Sequence, residues 1–277
     1  MGDCTDRARL RSSLTDLKDV KFYAAVLAEF VATAVFLFIG VSATFSWGPT
    51  VLQNDRMGVA AAFGFGIATM VWITAGLSGG HINPAVSLAM LVARKISLVR
   101  FVFYAAAQSV GAIVGVQILK AMTPAVVGGA WGTNLPAGQI TDAAGVFYEV
   151  ILTFSLVSTI FAATDNQRTD LKGSAPLAIG IAVFIGHLAG IPFTGASMNP
   201  ARSLGSVVAS QIWTHHWIYW VGPALGAVMA ALLYEFAFAA NACMDKFRNW
   251  LKLEDYNPDL SGEQMKSNSY EMTISGS

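Results

Sequence analysis

Charge is what this chain has least of. Asp, Glu, Lys and Arg supply 12% of its 277 residues, about half the share in an average soluble domain, and the 17 basic and 17 acidic side chains cancel. No Lys/Arg run is dense enough to hold a nucleic acid backbone or an acidic partner, so neither is expected. Cysteine is nearly absent as well: Cys4 and Cys243 stand near opposite ends of the chain, which excludes a disulfide framework. A cleavable leader is not expected either. The first 21 residues carry Asp3, Asp6, Arg7, Arg9, Arg11, Asp16, Lys18, Asp19 and Lys21 with no apolar run between them, so the first apolar span should direct the chain to the membrane itself.

What fills the sequence instead is apolar: 55% of the residues are hydrophobic, in stretches near the ~20 residues that cross a ~30 Å hydrocarbon layer. Six spans can be read, at 22–46, 57–77, 99–122, 143–164, 175–191 and 215–239. All should be helices, because a bilayer offers unpaired backbone groups no water. The expected class is an all-α polytopic membrane protein with most of its surface against membrane lipid. With both termini placed in the cytosol, the inner segments hold Arg7, Arg9, Arg11, Lys18, Lys21, Arg94, Lys95, Arg100, Arg168, Lys172, Lys246, Arg248, Lys252 and Lys266. Only Arg56, Lys120 and Arg202 are left over, which satisfies the positive-inside rule. Small residues crowd the spans, as in AAFGFGIATM (61–70) and AIGIAVFIGHLAG (178–190), where they let helix backbones approach closely.

The two halves resemble each other. AEF (28–30), GIA (66–68), AG (75–76) and HINPAVSL (81–88) return as YEV (148–150), GIA (180–182), AG (189–190) and SMNPARSL (197–204). Three spans per copy is an odd number, so the second copy enters from the opposite face and the pair is inverted, with a shared site near the midplane. The division that follows is a cytosolic tail at 1–21, a first repeat at 22–122, an extracellular connecting loop at 123–142, a second repeat at 143–240 and a cytosolic tail at 241–277. Each Asn-Pro-Ala, Asn83-Pro84-Ala85 and Asn199-Pro200-Ala201, reads as a helix start. Asn is a preferred N-cap, and Pro at the first helical position has no N–H to waste. Helices over 83–93 and 199–209 would each cross about half the membrane, at ~1.5 Å per residue, and could meet tip to tip. Each Asn oxygen would take the cap bond and its NH₂ would donate into the enclosed space, beside two positively polarised helix ends. The approach segments, with Gly79, Gly80 and His81 in one and Gly195, Ala196 and Ser197 in the other, could line a path with carbonyls.

These paired motifs, together with GSAPLAIGIA (173–182), GHL (186–188), TGASMNPARSLG (194–205) and HHWIYWVGP (215–223), make residues 22–240 similar to the aquaporin family, in particular its animal water-selective branch. The resemblance implies six tilted helices, two re-entrant half-helices, one pore per subunit and a homotetramer, with water as the permeant and the plasma membrane as location. It also implies a selectivity filter of Phe63, His187, Arg202 and a backbone carbonyl near Ala196. A deep Arg is costly, at least ~2.5 kcal/mol, and should face an aqueous cavity or a partner. Glycerol-passing relatives place a small residue where His187 stands and an Asp where Ser203 stands, so water is the expected substrate. The mercury-sensitive cysteine of some relatives aligns with Ala196. Glu29 and Glu149, at matching positions, are expected to support the loops before each triplet, and His81 to brace the inner vestibule.

The alternatives are a channel that also passes glycerol, peroxide or ammonia, a coupled secondary transporter, and a scaffold with a vestigial pore. A coupled transporter shares inverted repeats, but no paired acidic residues are evident near the triplets. No nucleophile–base set and no metal-ligand cluster is visible, so neither an enzyme nor a cofactor is expected. Ser12, Ser13, Ser267, Ser269 and Ser275 are weak phosphorylation candidates in the tails.

Overall fold

The computed structural model describes residues 14–45, 55–124, 129–170, 173–252 and 256. Cys4 and the five tail serines lie outside them. Among the described residues nine α-helices follow in order: α1 Val20–Ser42, α2 Arg56–Ser78, α3 Pro84–Val92, α4 Leu98–Met122, α5 Asp142–Ala163, α6 Ala175–Thr194, α7 Pro200–Ser210, α8 Ile218–Leu233 and α9 Met244–Lys252. A short 3-10 turn, Asp16–Lys18, precedes α1, and a π-helical turn, Tyr234–Phe238, prolongs α8. Six of these segments are long and apolar enough to cross a membrane: α1, α2, α4, α5, α6, and α8 with its π turn. Their outward faces carry Leu27, Val31, Trp72, Ile73, Phe147 and Ile151, side chains that hydrocarbon solvates without cost.

The helix starts follow local chemistry. Asp19, Asp55, Ser97, Thr141 and Ser174 each accept a first-turn N–H and so cap α1, α2, α4, α5 and α6, an arrangement worth about 1 kcal/mol per helix. Three ends differ by three residues or more from the sequence reading, the first being that of α1, which stops at Ser42 rather than 46. The fifth span runs past Pro192 to Thr194, because a proline this close to a C-terminus removes only one ladder bond, and Gly195 at φ 78 provides the left-handed stop. The sixth begins at Ile218 rather than 215, since His215 at φ 57 bends the chain out of helix first.

Packing repeats with the sequence. α1 lies on α4 as α5 lies on α8; α1 meets α2 as α5 meets α6; and α2 crosses α6 between the halves. Each short helix packs on the last span of the other repeat, α3 on α8 and α7 on α4. The α2–α6 crossing is close because it is made at glycine. A β-carbon on Gly64 would sit 2.8 Å from the Gly180 carbonyl, and one on Gly180 would sit 2.6 Å from that of Gly64.

Candidate functional site

α3 and α7 bring their N-termini together in the middle of the bundle. Asn83 Oδ1 accepts from Ala85 N at 2.8 Å, and Asn199 Oδ1 accepts from Ala201 N at 3.0 Å and Arg202 N at 3.2 Å. The free-amide expectation needs correction, because each NH₂ is half committed across the repeat boundary. Asn83 Nδ2 donates to the Met198 carbonyl at 2.7 Å, and Asn199 Nδ2 donates to the Ile82 carbonyl at 2.9 Å. One hydrogen on each amide stays available, and the reciprocal pair ties the two tips to each other.

The approach segments share an unusual backbone. Gly79, Gly80 and Ile82 have φ of 90°, 62° and 56°, and Gly195, Ala196 and Met198 have 78°, 53° and 54°, the same pattern at equivalent positions. For a side-chain-bearing residue the left-handed region costs roughly 1–2 kcal/mol, and such strain persists only where surroundings impose it. Two buried carboxylates impose it here. Glu29 accepts from His81 N (2.9 Å), Ile82 N (2.6 Å), Ser78 Oγ (2.6 Å) and Gln108 Nε2 (2.8 Å). Glu149 accepts from Ser197 N (3.0 Å), Met198 N (2.8 Å) and Thr194 Oγ1 (2.7 Å). The two matching carboxylates thus hold the loops before the triplets, the role expected of them from the sequence, and they are the paired acidic residues that the case against a coupled transporter had left out. Their oxygens are engaged by loop donors rather than offered to an ion. Tyr104 and Tyr219 complete the match, their hydroxyls donating to the Ser78 and Thr194 carbonyls at 2.9 and 2.8 Å.

Toward the other mouth, Phe63, His187 and Arg202 converge. The Phe63 ring stacks on His187 with centroids 4.4 Å apart, and the Arg202 guanidinium carbon lies 4.8 Å from the Phe63 centroid. His187 Nδ1 is 2.9 Å from the Val183 carbonyl. A carbonyl only accepts, so Nδ1 carries the proton and Nε2 of the neutral ring is an acceptor. His187 Nε2 and Arg202 Nε are buried with no protein partner. The cluster thus combines an apolar ring, one acceptor and one N–H donor. Ala196 is fully buried.

The residue that sequence reasoning missed is Asn134, in the connecting loop. Its Oδ1 accepts from Arg202 Nη1 at 2.7 Å and Ser203 Oγ at 2.6 Å, while its Nδ2 donates to the Gly195 carbonyl at 2.8 Å. Arg202 Nη1 also donates to the Gly132 carbonyl. Ser203 Oγ also lies 2.6 Å from Ser197 Oγ, which is 2.9 Å from the Asn199 carbonyl. Gly195 accordingly differs from the other loop carbonyls: among the described residues no donor reaches those of Gly79, Gly80, His81, Ala196 or Ser197. A buried Asn in a connecting loop gives no periodic signal. The TNLP stretch (133–136) was its only trace.

A narrow cavity of about 100 Å³ runs past the tips, room for a short file of waters at ~10–15 Å³ each. It starts among Ala75, Thr164, Ala175 and Pro176, passes Gly79, Gly80 and His81, touches Asn83 and Asn199, and reaches His187. Its remaining walls are largely aliphatic, including Ile67, Val71, Val86, Ile160 and Ile179. His81 is buried with Nδ1 3.0 Å from Ser87 Oγ and its ring edge-on to Tyr104. Among the described residues, no three His, Cys, Asp or Glu side chains converge to hold a metal.

Six spans, two half-helices joined at their tips and a lined axial cavity define an α-helical membrane channel with the pore inside a single chain. The Major intrinsic protein family model matches residues 16–234, and the chain belongs to that family. It is 48% identical over 242 residues to Aquaporin-4 of Mus musculus, covering 86% of this chain and 75% of the relative. Aquaporin-4 of Homo sapiens is 51% identical over 219 residues (78% and 68%). Aquaporin-5 of Homo sapiens is 44% identical over 251 residues (89% and 93%). A solved aquaglyceroporin from Plasmodium falciparum superposes with a TM-score of 0.70 at 25% identity, over 77% of this chain and 95% of that one.

Proposed function

We propose that the chain is a passive, water-selective membrane channel, driven by osmotic gradients and closed to protons and ions. The single observation that carries this is the centre of the cavity, where Asn83 and Asn199 each keep one amide hydrogen beside the N-termini of two facing helices. A water there accepts from both amides, so its own hydrogens point away along the aliphatic walls and the hydrogen-bonded file reverses direction. The helix ends, about half an elementary charge each, repel cations at the same point. At the filter, Arg202 and His187 offer a donor and an acceptor beside Phe63, an arrangement suited to binding one water. The unengaged loop carbonyls act as acceptors along the way, and Glu29 and Glu149 hold those loops.

In this reading the chain is a homotetramer in the plasma membrane with 1–21 and 241–277 cytosolic and the 123–142 loop outside. The names of the Aquaporin-4 and Aquaporin-5 relatives support the water assignment. The test is stopped-flow light scattering on proteoliposomes under water and glycerol gradients. Wild type should pass water at least tenfold faster than empty liposomes and glycerol no faster than they do. His187→Gly, with the imidazole gone, should admit glycerol. Ready glycerol flux through the wild type would refute the selectivity assignment.

A further inference from the structure

The nine residues of α3 carry Asn83 to the centre, a rod about 14 Å long at ~1.5 Å per residue, so whatever fixes its far end fixes the depth of its tip. A helix leaves its last four carbonyls without intrahelical donors. In α3 these belong to Ala89, Met90, Leu91 and Val92. The following turn serves three of them: Ala93 N on Ala89 O at 2.9 Å, Lys95 N on Met90 O at 2.8 Å and Arg94 N on Leu91 O at 2.9 Å. The fourth, Val92 O, takes its donor from far along the chain, Trp250 Nε1 at 3.0 Å.

Trp250 belongs to α9, and α9 is fastened tightly for a surface helix. Lys246, 1% exposed, donates to Glu235 Oε2 and Asn241 Oδ1, both at 2.7 Å. The other Glu235 oxygen pairs with Lys95 at 2.7 Å, three residues beyond α3. Phe236, Phe247 and Trp250 pack ring to ring, and the Arg94 guanidinium lies 5.8 Å from the indole. Arg94, Lys95 and Lys246 thereby gather at the negative pole of the half-helix, where cations are favourable. The opposite half-helix is treated alike. Lys120 Nζ donates to the Ala209 carbonyl at the far end of α7, at 2.7 Å, which gives a use to a lysine the charge rule had left over.

We propose that α9 is a positioning element of the pore, with Trp250 as its point of contact, and that Lys120 has the same role at α7. Each holds the mouth end of a half-helix so that Asn83 and Asn199 stay in register at the centre. This rests on the water-channel reading above.

The test is Trp250→Phe, which keeps an aromatic ring among Phe236 and Phe247 and removes the N–H together with part of the indole, assayed in the full chain. In proteoliposomes of known channel content, water permeability per channel should fall at least twofold. Hydrogen exchange over 84–95 should quicken about tenfold, with exchange in the six spans and the melting temperature unchanged. Glu235→Gln, which removes the negative charge between the two lysines and replaces one of its acceptor oxygens with an NH₂, should act in the same direction more strongly, and Lys120→Met should quicken exchange over 199–211 instead. Wild-type permeability and exchange in Trp250→Phe would overturn the inference while leaving the water channel intact. So would a permeability loss that merely tracks a lower melting temperature. If the wild type itself conducts no water, the channel reading fails, and the exchange data alone still decide whether α9 holds α3.

Discussion

At the scale of single residues, the filter depends on what stands behind it. Gly40 on α1 leaves the hollow that Phe63 fills: a β-carbon there would sit 2.5 Å from the ring, and no flexible side chain could yield, because Phe63 is itself wedged between Phe36 and His187. Gly40→Ala should push the ring toward His187 and cut water permeability at least threefold, measured by stopped flow at matched channel content. Ala196 offers the opposite experiment. The described free thiol, Cys243, is exposed at the start of α9 and away from the constriction. Mercurials should therefore leave wild-type flux unchanged, and Ala196→Cys should create a block that a thiol reductant reverses. Block of the wild type would place a reactive thiol in the path and contradict the site geometry.

Much of this site was legible because its residues carry strong local signals. Asn-Pro-Ala announces a capped helix start wherever it occurs, and an Arg within an apolar segment demands a polar environment. Asn134 and Gly132 were not legible, since their contacts to Arg202 span 68 and 70 positions and follow from loop closure rather than from any periodicity. The cross-bonds from the two Asn amides to Met198 and Ile82 were hidden for the same reason: a reciprocal pair between repeats exists only once the tips have met.

At the scale of elements, the strained approach segments and the carboxylates that hold them form one unit. Replacing Glu149 with Gln keeps its size but turns one acceptor into a donor facing other donors. Leaving a buried N–H unsatisfied costs about 1–3 kcal/mol, so Glu149→Gln should lower the melting temperature by several degrees and reduce water flux. Glu29→Gln should do the same in the first repeat, because Glu29 engages four donors in an equivalent way. Unchanged stability in both variants would show that the left-handed backbone at 79–82 and 195–198 is held by something else. The spans themselves were readable from hydrophobic length to within a few residues. Their larger errors fell at the end of the first span, which stops at Ser42, and at Pro192 and His215, where local backbone angles rather than composition decide the end.

At the scale of the whole molecule, the inverted repeat explains why a chain so poor in charge keeps a few charged groups deep inside. Two equivalent carboxylates, two equivalent tyrosines and two capping asparagines build one path from two halves, and the exposed apolar faces of the spans are left for lipid. The most direct measurement of this account is a density map of the protein in a bilayer, at a resolution that shows ordered water. The account predicts a single file along the axial cavity, with one water about 3 Å from both Asn83 Nδ2 and Asn199 Nδ2. A file that runs elsewhere, or side-chain density sealing the space between the two amides, would contradict it.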